Sequence, residues 1–248
     1  MSDRRIVITG ASAGIGAALA ELLTARGDGV ALVARRQREL EEVASRCLGR
    51  AHPIVADVGS REEVRRVVRE SIARLGHVDV WVNNAGRGIN RQVSQLTDDD
   101  VDEMMRVNVK SALYGMQEIL PHFVERGTGH IINVSSMLGR VPMATFRSAY
   151  NGAKHFLNAI TANLRDELRE QHPGITVSLV SPGVVATEFG SNAAYGGPDS
   201  RALPMSQPVE EVAEVIARVI DTRATDVYTR AGMRQMVVDY FSRTGTDP

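Results

Sequence analysis

Seven short runs rich in valine, isoleucine and leucine punctuate the chain, and stretches with helical spacing separate them. The runs are RIVITG (5–10), GVALVAR (29–35), AHPIVADV (51–58), VDVWVNNAG (78–86), GHIINVSS (129–136), GITVSLVSPG (174–183) and TDVYTR (225–230). Side chains alternate between the two faces of a strand, so a strand that is apolar at nearly every position is buried on both faces. Burial on both faces calls for helices above and below the sheet, joined to parallel strands by right-handed crossovers. The helical spacing is predicted over 14–26, 37–48, 60–76, 97–127, 150–171 and 208–223. Ser60 with Glu63 three residues on reads as a capping signature, and Gly76 as a stop. The expected fold is therefore α/β, a doubly wound sheet in a single domain spanning 1–248. The 248 residues, 43% of them hydrophobic, can build a core of that size. Neither a low-complexity linker nor an internal repeat divides them.

Several function classes drop out on composition. A formal net charge of −1, with acids and bases interspersed, gives no polyanion-binding surface, so no nucleic-acid partner is expected. A single cysteine, Cys47, excludes an intramolecular disulfide and a cysteine metal cluster; it falls on a polar helix and reads as inert. The six histidines never take metal-ligand spacing, so no metal is expected. Cytoplasmic localisation is the expectation, because the first apolar run is too short for a signal peptide and no window reaches 18 apolar residues. The acid-rich TDDDVDE (97–103) precedes a helix, where carboxylates suit the dipole.

TGASAGIG (9–16) joins the first strand to the first helix. Glycines at 10, 14 and 16 let the backbone approach a pyrophosphate, and the helix N-terminus offers unpaired N–H groups. An ordinary βα turn is the alternative; the context favours a dinucleotide, with Gly10, Ser12, Ala13, Gly14, Ile15 and Gly16 in contact. NAD-binding sheets place an acid at the end of the second strand to hold the ribose 2′-hydroxyl. Ala34 stands there instead, followed by Arg35 and Arg36. No carboxylate repels a 2′-phosphate and a guanidinium can grip one, so NADP(H) is expected over NAD(H). Ala13 supplies no second basic residue in the glycine loop.

A further pair stands out in SAYNGAKHFL (148–157). Tyr150 and Lys154 are four apart and so share one helix face. The positive charge of an ammonium favours the phenolate and tunes an acid–base group that is otherwise feeble near neutrality. His155 points about 100° away and reads as structural.

With these motifs in order, the sequence resembles the short-chain dehydrogenase/reductase family along essentially its whole length. The matches are TGxxxGIG (9–16), Asp57–Val58, NNAG (83–86), Asn108, Ser136, YxxxK (150–154) and PGxVxT (182–187). The resemblance implies a Rossmann domain with a mostly parallel sheet of seven strands, assembled as a homotetramer or homodimer. It implies an NADP(H)-dependent oxidoreductase that interconverts a ketone or aldehyde and an alcohol. In that reading Asp57 contacts the adenine with Val58 beside it. Asn84, Ala85 and Gly86 line the adenosine ribose. Pro182, Gly183, Val185 and Thr187 hold the nicotinamide side. Tyr150 is the general acid/base, Lys154 also holds the nicotinamide ribose, Ser136 binds the substrate oxygen and Asn108 anchors a proton relay. The serine falls 14 residues before the tyrosine where the family usually has 13, and Ser135 competes for the role. Gly139 favours Ser136 and places the extra residue in 140–147.

Substrate choice is expected from loops 88–93, 137–146 and 188–204, with 188–208 as a lid region. Met137, Leu138, Met143, Phe146, Phe189, Tyr195 and Leu203 predict an apolar pocket for a hydrophobic carbonyl or alcohol. Arg87 is a weaker candidate for substrate contact. An NAD-dependent alcohol dehydrogenase of the same family and a non-catalytic dinucleotide sensor remain the competing readings.

Overall fold

The computed structural model describes residues 3–245; residues 1–2 and 246–248, the ends of the expected 1–248 span, lie outside the described residues. Seven strands form one sheet: β1 (Arg5–Thr9), β2 (Gly29–Ala34), β3 (Ala51–Val55), β4 (Val80–Asn83), β5 (Gly129–Val134), β6 (Ile175–Ser181) and β7 (Asp226–Tyr228). Their order is β3-β2-β1-β4-β5-β6-β7, and every neighbouring pair is parallel. This is a Rossmann-like α/β fold. The order reverses between β1 and β4, so the carboxyl ends of these strands open a crevice at the switch point.

Helices cover both faces, as the all-apolar strands require. On one side α1 (Gly14–Ala25) and α7 (Val209–Thr222) pack with Ile6, Ile8, Leu32 and Val82. On the other, α3 (Arg61–Leu75), α5 (Ser111–Arg126) and α6 (Ser148–Gln171) enclose Val7, Val33, Trp81 and Ile131. The short α2 (Gln37–Ser45) seats Leu40 and Val43 in the first layer. Cys47 lies just past its end, fully buried in that layer and not on a polar face. Burial pushes its thiol up, in keeping with an inert side chain.

Caps follow the sequence in two helices. Ser60 accepts the N–H of Glu63 at 3.5 Å, but the Glu63 carboxylate turns to the N–H of Asp57 at 2.9 Å. Thr97 and Asp100 form a reciprocal capping box at the start of α4 (Asp98–Met105).

The helical region expected over 97–127 is not continuous. A π-helical turn, Arg106–Lys110, separates α4 from α5. The tail also forms a helix that its weak periodicity concealed, α8 (Met233–Phe241), which buries none of its residues. Several predicted strand ends ran too far: β3 stops before Asp57 and β4 before Asn84, because those residues turn out to line the crevice. Among the described residues no helix is long and apolar enough to cross a membrane. Nor do three or more His, Cys, Asp or Glu side chains gather to hold a metal.

Candidate active site

The crevice is a cavity of about 1030 Å³ running from the end of β2 to the start of α6. Its floor is the glycine loop. Gly10 takes a left-handed conformation (φ 67°), and a Cβ there would lie 2.8 Å from the Ala85 Cα. Asn84 fixes the loop from the neighbouring strand, donating to the carbonyls of Thr9 at 3.0 Å and Gly10 at 3.2 Å. Asn83 points below the sheet plane into a buried polar network with Trp81 and Asn133. Both asparagines thus have structural work that their poor strand propensity hid. Gly16 does not line the cavity; a Cβ on it would meet the Gly10 carbonyl at 2.5 Å, so it seats helix against loop.

The loop suits a pyrophosphate. Helices α3 and α4 carry side-chain caps and acids in the first turn, whereas α1 has neither. Its first N–H groups and positive dipole end therefore lie open toward Ser12, Ala13, Gly14 and Ile15, which line the cavity. Across it stands Thr187, whose methyl would lie 3.2 Å from a Cβ on Gly14. Pro182, Gly183 and Val185 line the same wall.

At the far end Arg35, Arg36, Asp57 and Val58 line the cavity together. Arg36 donates to the Ser12 hydroxyl at 3.0 Å and pairs with Glu39 at 3.4 Å. The Asp57 carboxylate is engaged by the N–H of Gly59 and by Arg106, both at 2.9 Å. Burial works against its charge, but these two partners outweigh it and hold the carboxyl low.

At the inner end Ser136, Tyr150 and Lys154 meet beside Gly86. Both Ser135 and Ser136 line the cavity, but it is the Ser136 hydroxyl that lies near Tyr150. The Ser135 hydroxyl donates to Asn158, one turn beyond Lys154, and Asn158 donates to the Gly139 carbonyl at 2.6 Å. This divides the two serines as strand alternation demands. Gly139 is needed there because a Cβ would lie 2.9 Å from the Lys154 backbone.

Burial dominates both titrating groups. It pushes the Tyr150 phenol up to about 12, against the pull of the Ser136 hydroxyl and the charge of Arg147. It lowers the Lys154 ammonium to about 8. Lys154 Nζ donates to the Val134 carbonyl at 3.0 Å and lies 5.7 Å from the Tyr150 ring centroid. Asn108 sits in the π-helical turn behind the cavity wall. Its amide donates to the carbonyls of Arg87 at 2.9 Å and Met104 at 3.2 Å, and its Oδ1 accepts the N–H of Arg87 at 3.1 Å. A Cβ on Gly86 would fall 3.0 Å from Asn108 Oδ1 and 3.7 Å from Lys154 Nζ, so glycine lets the two approach each other.

The apolar pocket expected from the loops is largely not there. Of the seven residues named for it, Phe189 lines the cavity, tilted against Tyr150 at 5.5 Å between centroids. Met137 is buried behind Ser136, while Met143 and Phe146 are exposed. Glu188, Asn192, Arg201 and Arg87 supply a polar rim instead. Tyr195 turns outward, donating to Asp100 at 2.9 Å with Arg91 stacked 4.3 Å from its ring. The acidic helix start therefore also anchors the 188–204 segment, a link that spacing did not reveal. His155 is structural as read, its ring bonded to the Asn151 carbonyl at 2.8 Å.

A glycine loop at the switch point and a Ser-Tyr-Lys cluster at the inner end define a dinucleotide-dependent oxidoreductase of the short-chain type. The comparisons agree: the family model described as short chain dehydrogenase matches residues 4–195, and the chain belongs to that family. An uncharacterized oxidoreductase of Staphylococcus epidermidis is 33% identical over 79% of this chain and 84% of its own. A short-chain dehydrogenase from Streptomyces avermitilis superposes with a TM-score of 0.86 at 31% identity, covering 98% of this chain and 93% of the other. An alcohol dehydrogenase from Thermococcus sibiricus complexed with 5-hydroxy-NADP gives 0.81 at 26% identity (94% and 98% covered). A 3-ketoacyl-(acyl-carrier-protein) reductase from Brucella melitensis complexed with NADH gives 0.83 at 25% (93% and 98%).

Proposed function

We propose that the protein interconverts a ketone or aldehyde and the corresponding alcohol with NADP(H), Tyr150 acting as general acid/base. The observation that carries this is the meeting of Ser136, Tyr150 and Lys154 at the inner end of a cavity whose other end is the open glycine loop. A bound nicotinamide supplies the hydride. The chain's own residues handle the oxygen. Ser136 donates a hydrogen bond to it and stabilises charge as it develops. Tyr150 Oη gives up its proton in reduction and takes it back in oxidation. Lys154, its Nζ 5.7 Å from the phenol ring, supplies a cation for the return of that proton, and Asn108 supports it from across Gly86. Phe189 packs an apolar substituent of the substrate, and Glu188, Asn192 and Arg201 meet its polar remainder.

Arg35 and Arg36 support NADP(H), because no carboxylate follows β2 directly and Arg36 already sits at the glycine loop. The pairing of Arg36 with Glu39 favours the NAD(H) reading, since part of its charge is committed. The purified protein should oxidise NADPH across a panel of ketones and aldehydes, more tightly bound than NADH, and Tyr150→Phe should lose the turnover by about 10²-fold or more. Equal or tighter NADH binding overturns the NADP assignment. Tight NADPH binding with no turnover by either protein overturns the enzymatic one.

A further inference from the structure

Asp57 lines the far end of the cavity, and both of its carboxylate oxygens are fixed. Oδ1 accepts the N–H of Gly59 and Oδ2 accepts Arg106 Nη1, each at 2.9 Å. Arg106 is clamped in turn by Glu103, one helical turn earlier, whose two oxygens accept its Nε at 2.8 Å and its Nη2 at 3.2 Å. A planar guanidinium bonded on two edges has one place to sit. The neighbouring backbone is shaped to it. A Cβ on Gly59 would lie 2.0 Å from Nη1, and Gly59 has no left-handed φ that would call for glycine on its own account. Among the described residues no other cation pairs with Asp57. The two side chains are 32% and 36% exposed, and ion pairs this open to water add little to stability, so the fold alone gives little reason for the arrangement. Arg106 does not line the cavity, whereas Asp57 and Gly59 do. What the guanidinium does for a ligand it does through the carboxylate.

A charged carboxylate accepts hydrogen bonds and donates none. With one bond already made at each oxygen, the lone pairs that remain meet only an N–H or O–H. The exocyclic amine of adenine is such a group, and the 6-oxygen of guanine or hypoxanthine is not. We propose that Arg106 is a positioning residue for the nucleotide base: it holds the Asp57 carboxylate as a fixed acceptor, and the site thereby prefers adenine to a 6-oxopurine. The inference rests on the proposed dinucleotide lying with its pyrophosphate on the glycine loop, so that the base reaches Asp57 at one end as the nicotinamide reaches Tyr150 at the other. Fixing the carboxylate is what makes the choice. Hypoxanthine carries an N–H at N1, one ring position from its oxygen, and a carboxylate free to turn would follow it there. One held at both oxygens does not. Arg35 and Arg36, in the same wall, carry only donors and have nothing to offer an amine.

The test measures dissociation constants for NADPH and for its deamino form, in which a hypoxanthine oxygen replaces the adenine amine, by the fluorescence of the reduced nicotinamide. The ratio of the two constants is the readout. A hydrogen bond to a charged group changes binding by about tenfold or more, so the parent should prefer NADPH by about that factor. Arg106→Gln should bring the preference down to about threefold or less. Gly59→Ala, which displaces the guanidinium while both charges remain, should do the same. With Asp57→Asn already present the fixed acceptor is gone, and Arg106→Gln should leave the ratio unchanged. An arginine that merely supports the fold or attracts phosphates weakens both nucleotides alike. A preference that survives Arg106→Gln undiminished therefore overturns the inference, as does an equal fall in the ratio when Asp57→Asn is already present. A parent without any preference overturns the placement of the base at Asp57 together with it. The assay needs no turnover, and NADH with its deamino form reads the same ratio, so failures of the oxidoreductase and NADP(H) assignments are seen separately.

Discussion

Lys154 should destabilise the fold that carries it. Its ammonium is buried against the Val134 carbonyl and lowered from 10.5 to about 8. The unfolded chain thus holds that proton more tightly than the folded one. Below about pH 8 the whole cost is present, and it fades as pH rises from about 8 toward 10.5. At about 1.4 kcal/mol per pKa unit the difference amounts to about 3 kcal/mol. Lys154→Met keeps the length of the side chain without the charge, and it leaves the Val134 carbonyl short of one donor, which costs about 1 kcal/mol. The variant should therefore be about 2 kcal/mol more stable than the parent at pH 7, a large fraction of the stability of a typical domain. Urea unfolding without nucleotide, repeated between pH 7 and pH 10.5, reads both the gain and its disappearance. Turnover with NADPH should fall by about 10²-fold or more in the same variant. A variant no more stable at pH 7, or a stability difference that stays constant up to pH 10.5, would refute the reasoning.

The opposite end of β5 supplies a second pH dependence. His130 is lowered to about 3 by burial, chiefly, and by Arg223 and Arg4, so below pH 6.5 the unfolded chain takes up a proton that the fold refuses. The parent should lose about 2.3 kcal/mol through this group between pH 6.5 and 4.5, and His130→Gln should lack that slope in urea titrations; parallel pH profiles would contradict it. Tyr195 holds the 188–204 segment through Asp100 and Arg91 while adopting a left-handed backbone (φ 64°). Tyr195→Phe should speed proteolytic cleavage within that segment about fivefold, a net loss of about 1 kcal/mol for the two hydrogen bonds of this exposed hydroxyl, and an unchanged rate would show that the segment is held elsewhere.

The sheet was legible because burial on both faces leaves a compositional mark at every strand position, as in the fully buried GVALVA of β2. The glycine loop and the Tyr150–Lys154 pair were legible because each depends on spacing within a single turn. What escaped depends on distance in the chain. Strand alternation said that one of Ser135 and Ser136 faces the site and Gly139 pointed to Ser136, but the bond that turns the Ser135 hydroxyl away runs to Asn158, 23 residues on. The break in the 97–127 helix leaves no proline or glycine at 106–110; it serves the Asn108 amide, whose partners Arg87 and Met104 lie on two different elements. The loop residues failed as pocket predictors for a related reason. Apolar character says that a side chain leaves water, not which neighbour it leaves it for, and Tyr195 found Arg91 and Asp100 outside the cavity.

The polar core beneath the site shows why such long-range pairs are tolerated. Trp81 donates to Asn83 at 2.7 Å, Asn83 donates to Asn133 at 2.8 Å, and Asn133 donates to Thr161 at 2.8 Å. The chain of bonds runs from β4 through β5 to α6, two turns past Lys154. Gly115 of α5 accommodates it, since a Cβ there would lie 2.2 Å from Asn83 Oδ1. Aliphatic packing at these positions would bury as much surface while allowing α6 to slide or rotate by small steps. Directional bonds between buried amides do not, because any displacement leaves a desolvated donor or acceptor unpaired at about 1–3 kcal/mol each. The register of α6 on β5 is set in this way, and with it the placement of Tyr150 and Lys154 against Ser136.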